Sequence, residues 1–304
     1  MHHRLDPLIV AALGIAVVAV SSSAPLIAYA AAPALAIAFW RNFIAAGVLG
    51  PVALVRRRAE LRDMAFGDRR REARYSMLAG VALAAHFATW MPSAQLTSVA
   101  TATALVNTQP VWQGLLAHVQ GQRLRPVMWA GIGIAVAGAV IATGADLGTS
   151  GRALAGDLLA LVGAMAGAVY TGLGERARVV LSTTTYTLVC YSVCAAALVV
   201  VCLVGGVRLG GYEKSTWLAI LGIVVGAQLL GHSMWSYALR KVSATTVSLL
   251  ALLEVPGAAL IAWAWLGQAP KAAAYPGLAL LMVGVAVVLL GSARSLRGRP
   301  EPML

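Results

Sequence analysis

Charge is scarce in this sequence. Of 304 residues, 11% are Asp, Glu, Lys or Arg, against about 25% in an ordinary soluble domain. A soluble globule of this length is excluded, because it would lack the polar surface to face water. Disorder is excluded as well, since 60% of the chain is hydrophobic and its mean hydropathy is +0.81, and a disordered chain is the reverse. Cysteine is nearly missing. Cys190, Cys194 and Cys202 all fall in one apolar run, so they cannot staple a fold and read as small packing residues. No metal-ligand spacing occurs, and no cofactor motif. HExxH, GxSxG, a pair of intramembrane aspartates and a TVGYG-like filter are all absent, which leaves a membrane enzyme or a channel without its usual machinery.

Long apolar runs are abundant. They lie at about 8–28, 34–55, 75–95, 98–119, 126–145, 154–173, 185–206, 216–238, 243–266 and 275–292. Each approaches the roughly 20 residues that a helix needs to cross a bilayer. Backbone groups in hydrocarbon must pair within their own segment, and the alternation of a β-barrel is missing, so the runs are read as helices. The fold class expected is an all-α membrane protein with ten transmembrane helices, a single integral membrane domain over 1–304. The first run follows His2, His3 and Arg4, and Ala28-Tyr29-Ala30 resembles a signal-peptide cleavage site. The repeat described below needs that helix, so the run is read as a span.

The basic residues are unevenly spread. The amino terminus and every second loop carry 18 of the 23 Lys and Arg, eight of them between Arg56 and Arg74. The intervening loops carry four, at Arg152, Arg208, Lys214 and Lys271, and Arg41 lies inside a run. Cytoplasmic loops hold the Lys/Arg excess, so both termini are expected in the cytoplasm. The net charge of +12 is thereby a topology signal rather than a sign of nucleic-acid binding. The 56–74 loop reads as a solvated segment that can touch anionic lipid.

An internal repeat appears at an offset of 146 positions. Gly80 meets Gly226, His86 meets His232, Pro110 meets Pro256, Gly121-Gln122 meets Gly267-Gln268, Gly131 meets Gly277 and Gly138 meets Gly284. These matches fall on Gly, Pro, His and Gln, where chance pairs are fewer than on Ala, Leu or Val. Helices 3–5 thus repeat as 8–10, and by extension repeat one spans about 8–145 and repeat two about 154–292. Five helices per copy turn the second copy upside down, giving an inverted 5+5 repeat, a pattern of many secondary transporters. Gly277, Gly284 and Gly291 recur every seven residues, as do Gly131 and Gly138, spacing that suits close helix packing.

Ionisable and polar residues at membrane depth are functional candidates. Glu254 lies about midway along the ninth run, two residues before Pro256. A carboxyl group there can bind a proton or a substrate ammonium; it can also be a hydrogen-bonded structural group. His86 and His232 are the repeat-related pair, and imidazole changes its charge near neutral pH. Both also fit as packing residues. Gln228, His232 and Trp235 share one helical face, as do His86, Trp90 and Ser93. Trp90 and Trp235 read as cavity walls or as part of an interfacial aromatic belt. Asn107, Thr108 and Gln109 precede Pro110, and Thr108 is the repeat counterpart of Glu254. Pro110 and Pro256 break the helical hydrogen bonding and would free the carbonyls of Val106 and Leu252. Arg41 can snorkel, pair or bind substrate. Asp157 and Glu175 lie near run ends and are expected to meet water.

SATTVSLLALLEVPGAALIAWAWLGQ at 243–268, its partner TSVATATALVNTQPVWQGLLAHVQGQRL at 97–124, and AIAFWRNFIAAGVL at 36–49 resemble the EamA-type transporters of the drug/metabolite transporter superfamily. The likeness covers nearly the whole chain. It implies ten helices, a bacterial cytoplasmic (inner) membrane, export of small metabolites such as amino acids, and a central cavity lined by helices 1, 3, 4, 6, 8 and 9. Many members end the fourth and ninth helices with Gly-Glu, whereas this chain has Gly-Gln at Gln122 and Gln268.

The function expected is a secondary transporter, an exporter of small polar metabolites working by alternating access. Its partners are a small-molecule substrate, the lipid bilayer, protons as candidate coupling ions, and a second copy of the chain as a candidate dimer mate. Cofactors and metals are not expected, nor is nucleic acid. A polytopic membrane enzyme and a channel are the alternatives. The topology is checked by cysteine labelling of intact cells: Ala65→Cys and Gly67→Cys should escape an impermeant reagent and Gly148→Cys should react, whereas labelling at 65 or 67 would invert the assignment.

Overall fold

A computed structural model of the chain describes residues 6–96, 102, 105–121, 124–143, 150–266, 272 and 274–297. Gln122, Gln268, Gly267 and Gly148 lie outside the described residues, as do Arg4, Arg123, Lys271 and Arg299. Every described element is helical. The elements are α1 (Pro7–Ser21), α2 (Ser23–Tyr29), α3 (Ala34–Arg56), α4 (Arg58–Phe66), α5 (Arg70–Leu96), α6 (Gln109–Val119), α7 (Pro126–Thr143), α8 (Gly151–Arg178) and α9 (Thr183–Val204). Then α10 (Lys214–Ile223) continues through a π-helix (Val224–His232) into α11 (Ser233–Ala238), followed by α12 (Ala244–Ala251), α13 (Glu254–Leu266) and α14 (Ala274–Arg297).

Among the described residues, six stretches are long and apolar enough to cross a membrane: Pro7–Ile27, Ala34–Arg56, Gly151–Arg178, Thr183–Val204, Lys214–Ala238 and Ala244–Trp265. Pro126–Ile141 and Tyr275–Val288 are shorter apolar helices. The ten runs of the sequence therefore do not all meet that criterion. α5 has the length, at 27 residues, but its first turns carry Arg70, Arg71, Glu72 and Arg74, and its last carry His86, Thr89, Trp90, Pro92 and Ser93. The run at 98–119 is interrupted by a turn at 107–108, which leaves α6 with 11 residues.

Large apolar side chains stand on the surface and polar ones lie inside. Leu54, Val55, Leu203 and Val204 are exposed, whereas Asn42, Gln228, Ser236 and Thr185 are buried. That is the arrangement a bilayer demands: aliphatic side chains face lipid, and polar ones find partners inside the bundle. Asp157 departs from the expectation of water contact, being buried on α8. Glu175, by contrast, accepts from the Ala244 N–H at 3.2 Å, placing a carboxylate at the positive N-terminus of α12.

Proline sets the helix breaks. Pro25 has no N–H for the Ser21 carbonyl, and α1 ends at Ser21. The hydroxyls of Ser21 and Ser22 turn back to the carbonyls of Val17 and Ala19, each at 2.7 Å. Pro110 sits in the first turn of α6, where a missing N–H costs nothing. Pro256 is the third residue of α13, and the chain turns at 252–253 just before it. The Leu252 carbonyl, expected to be freed, accepts from the Val255 N–H at 3.1 Å.

Five helix pairings build the bundle: α5 with α8, α7 with α14, α3 with α9, α5 with α9, and α1 with the π-helix and α11. The α7–α14 seam depends on glycine. A Cβ at Gly138 would overlap the backbone of Leu281 and Gly277, and one at Gly284 would overlap the backbone of Ala135. Loop contacts form two sets. Lys241 pairs with Asp6 at 3.0 Å and the Ser182 N–H donates to Glu60 Oε1 at 2.6 Å. Elsewhere Trp40 Nε1 donates to the Leu209 carbonyl at 2.7 Å, and the Tyr29 and Trp265 rings lie 5.7 Å apart.

Two measurements follow. Gly138→Ala and Gly284→Ala should each lower the melting temperature of the detergent-solubilised protein, on the scale of the roughly 1–3 kcal/mol cost of overpacking. Gly133→Ala, which meets nothing within 4 Å, should leave it unchanged; equal melting of all three would break the seam argument. Lys241 and the Leu8 N–H hold the Asp6 carboxyl below the usual carboxylate range. The contribution of that tie is present above the ordinary carboxylate pKa and is lost as pH falls through the lowered value. Lys241→Ala should therefore make acid melting less pH-dependent, and an unchanged acid limb would refute it.

Candidate functional site

The helix breaks converge on one cavity of about 100 Å³. Ser23 and Ala24 of α2 border it, with Val20 of α1. α5 contributes His86, Phe87 and Trp90, and α8 contributes Gly167, Tyr170 and Thr171. Asn107 and Gln109 come from the turn that opens α6, His232 and Trp235 from the π-helix end and α11, and Ser248, Ala251 and Glu254 from the broken α12–α13 helix. These belong to the first, third, fourth, sixth, eighth and ninth apolar runs. Among the described residues, Arg41 of α3 is the single lining residue from the second.

Glu254 is the first residue of α13. It stands ten residues after the start of α12, which at 1.5 Å per residue is about 15 Å, half the hydrocarbon thickness. The break between α12 and α13 thus puts a carboxylate at a helix N-terminus, where the unpaired N–H groups favour negative charge. Arg41 lies within electrostatic reach of it.

Arg41 is 1% exposed. Its Nε donates to Gln228 Oε1 at 2.7 Å, Gln228 Nε2 donates to Asn42 Oδ1 at 2.9 Å, and Asn42 Nδ2 donates to the Ala38 carbonyl at 2.9 Å. The guanidinium carbon lies 4.4 Å from the Phe87 ring centroid, a cation–π geometry.

His86 Nδ1 is 2.8 Å from the Gly163 carbonyl. A carbonyl only accepts, so Nδ1 carries the proton and Nε2 is left as an acceptor when the ring is neutral. Phe87 separates the two histidines, its ring centroid 5.2 Å from His86 and 5.6 Å from His232. Gly167 makes room for His86, since a Cβ there would stand 3.0 Å from His86 Nδ1 and 2.7 Å from Gln109 Oε1, and Gly163 makes room for Trp90, whose Cβ would lie 2.8 Å away. Gln109 Nε2 donates to Thr171 Oγ1 at 3.1 Å, and Thr171 Oγ1 donates to the Gly167 carbonyl.

Of the residues singled out by sequence, Glu254, His86, His232, Trp90, Trp235 and Asn107 line the cavity. Gln228 and Thr108 do not. Gln228 sits in the π-helix, where the Ser233 N–H donates to its carbonyl five residues back; the wider turn accompanies a side chain directed at Arg41 rather than the cavity. Thr108 Oγ1 donates to the Leu105 carbonyl at 2.6 Å and accepts from Trp112 Nε1 at 3.2 Å, so it serves the turn before α6. Ser93, expected on the same stripe as His86, donates to the Trp90 carbonyl. Sequence reasoning missed Tyr170 and Thr171. Their signal is the spacing Gly163, Gly167, Tyr170, Thr171, one helical face of small and polar residues.

Three buried polar atoms of lining residues have no partner among the described residues: Arg41 Nη2, Trp90 Nε1 and His232 Nδ1. Gln113 Oε1, Asp157 Oδ1 and Tyr186 OH are similar but belong to residues outside the lining. Among the described residues, no group of three or more His, Cys, Asp or Glu could hold a metal ion. The cavity can therefore present donors, one carboxylate and aromatic walls to a small polar molecule.

The chain resembles known transporters along its length. The model of the EamA-like transporter family matches residues 7–144 and again residues 154–290. A probable terminal-alkyne amino-acid exporter of Streptantibioticus cattleyicolor is 28% identical over 206 residues, 66% of each chain. An uncharacterized transporter of Archaeoglobus fulgidus is 26% identical over 179 residues, 57% of this chain and 61% of its own. The matches span just under two thirds of either relative's length. A solved crystal structure is similar over 95% of this chain and 99% of its own, with a TM-score of 0.74 at 21% identity, a likeness of fold. The double match covers nearly every described residue, and the helical, apolar bundle around a polar cavity agrees with it: the chain is a multi-pass membrane protein that belongs to the EamA-like transporter family.

Proposed function

We propose that this protein is a secondary transporter that exports small polar metabolites, amino acids among them, by alternating access, with Glu254 as its proton-coupling group. The observation that carries the reading is the position of Glu254: a carboxylate at the break of a membrane helix, half-way through the bilayer, facing a cavity walled by both family-matched stretches. An ionisable group is kept at such depth only at a cost of about 2.5–3.5 kcal/mol on insertion scales, which a purely structural position does not require. The name of the Streptantibioticus cattleyicolor relative supports amino acids as the substrate class.

Ten spans in an inverted 5+5 arrangement, with both termini in the cytoplasm of a bacterial inner membrane, complete the proposal. The two family matches, 7–144 and 154–290, supply the halves. Exchanging them turns the third-with-sixth pairing (α5, α8) into the eighth-with-first pairing (π-helix and α11, α1). It turns the third-with-seventh pairing (α5, α9) into the smaller eighth-with-second contact (π-helix, α3) and returns the second-with-seventh (α3, α9) and fifth-with-tenth (α7, α14) pairings to themselves, so the helix contacts keep their pattern. The loop contacts also agree with the charge rule. Asp6–Lys241 and Glu60–Ser182 join segments assigned to the cytoplasm, while Trp40–Leu209 and Tyr29–Trp265 join segments assigned to the other side.

Glu254→Gln keeps shape and hydrogen bonding but removes the titrating proton. Expression should not fall, since the cost of insertion drops. Efflux driven by a pH gradient should fall roughly tenfold or more, the scale of losing one positioned proton-transfer group, while exchange without a gradient survives at a higher half-saturating substrate concentration. Complete loss of both would make Glu254 a substrate-binding group without a separate coupling role. Wild-type gradient-driven efflux in the variant would refute the coupling role and move it to His86 and His232.

A further inference from the structure

We propose that Arg41 is the carboxylate-binding group of the transport cavity, and that together with Glu254 it selects zwitterions, a carboxylate on the arginine and an ammonium on the glutamate. The proposal rests on the transport reading above and adds its substrate chemistry.

Among the described residues, Arg41 is a buried cation without an ion-pair partner. The ion pairs among the described residues join Arg69 to Glu60 and Asp63, and Lys241 to Asp6. What Arg41 has instead is a mount. Gln228 fixes Nε, Asn42 fixes Gln228, and the Phe87 ring takes one face of the guanidinium. These contacts use the inner edge and one face of the fork and leave Nη2 unpartnered, in a side chain that lines the cavity. A guanidinium nitrogen can only donate, and so can the indole Nε1 of Trp90, the second unpartnered donor of the same lining. Two obligate donors call for an acceptor. A mounted guanidinium is the group best suited to a carboxylate, since its fork matches two oxygens in one plane.

Charge narrows the ligand further. Among the described residues the lining carries one guanidinium and one carboxylate beside two histidines, so a zwitterion is balanced group by group. A phosphate monoester brings about −1.5 to −2 charges and would leave Glu254 facing an anion. A simple amine would satisfy Glu254 and leave both donors idle. The aromatic walls, Phe87, Trp90, Tyr170 and Trp235, leave an apolar environment for the side chain between the two charged ends.

The full chain reconstituted in liposomes supplies the test. Counterflow is followed with a mixture of the twenty labelled amino acids, challenged by three unlabelled panels: the same amino acids, their α-carboxamides, and the corresponding carboxylic acids without the amino group. The amino acids should compete at least about tenfold better than the amides, the worth of one hydrogen bond to a charged group. Arg41→Gln should erase that difference, and Arg41→Lys should keep the preference for acids at lower affinity. Amides that compete as well as acids in the wild type would overturn the subsite while leaving transport intact, and that comparison needs no variant to fold. An unchanged acid preference in Arg41→Gln would overturn it too. If the wild type exchanges none of the labelled amino acids, the amino-acid transport reading itself fails and takes the subsite with it.

Discussion

A charge inside a bilayer has no water to fall back on, and the arrangement around Arg41 follows from that constraint. An unpaired buried polar group costs free energy that a membrane cannot refund through solvent. The chain answers with side chains from three elements: Asn42 beside it on α3, Gln228 from the π-helix, and Phe87 from α5. Both amides are spent on this task, Gln228 accepting from the arginine and donating to Asn42. The polar network is therefore a bracket between α3 and the π-helix. A regular α-helix through 224–232 would turn Gln228 to a different angle, which gives the π-helix a mechanical reason.

Backbone irregularity obeys the same rule. Non-helical backbone is tolerated at membrane depth only where it is buried in protein or borders a cavity. The break after Ser21, the turn at 107–108, the π-helix and the turn at 252–253 lie on four separate membrane segments, and all four border one cavity through Ser23, Asn107, His232 and Glu254. Hydroxyls and shortened turns absorb the carbonyls that proline leaves behind. Small residues on α8 complete the space, because Gly163 lets Trp90 and Thr89, and Gly167 lets His86 and Gln109, approach that helix.

Composition, punctuation and spacing make part of this legible before any coordinates. Apolar runs mark the helices, and Pro110 and Pro256 mark the breaks to within three residues. Glu254 stands out because a carboxylate in an apolar run is expensive. The glycines at 131, 138, 277 and 284 are legible as a packing face because their interval is close to two helical turns. Periodicity says which residues share a face, yet it does not say what that face meets. Gln228 and His232 share a stripe in the sequence, but one clamps Arg41 and the other lines the cavity, since the π-helix changes the angular step between them. Thr108 pairs with Glu254 in the repeat but ends a turn, having a backbone carbonyl three residues away. Tyr170 is hidden because tyrosine in an apolar helix is unremarkable until its neighbours are known.

The two kinds of interface differ in how firmly they hold, and the difference bears on which parts can move. The α7–α14 seam has backbone against backbone, with no room for a methyl group at Gly138 or Gly284, so sliding or opening it would break many close contacts at once. The ties of Asp6 and Glu60 are of another order. Asp6–Lys241 is an exposed ion pair, a type that contributes little in water, and Glu60–Ser182 is a single side-chain to backbone bond. The Glu60–Ser182 tie crosses between the stretches 7–144 and 154–290, as the seam does, and the Asp6–Lys241 tie joins the residue just before the first stretch to the second. In the alternating-access cycle proposed above, one contact between the two stretches would stay intact as a pivot while others break on every turnover. Tight glycine packing suits the pivot, and contacts that cost little to open suit the gate; the α7–α14 pair is then the axis about which the cavity-lining helices would rock.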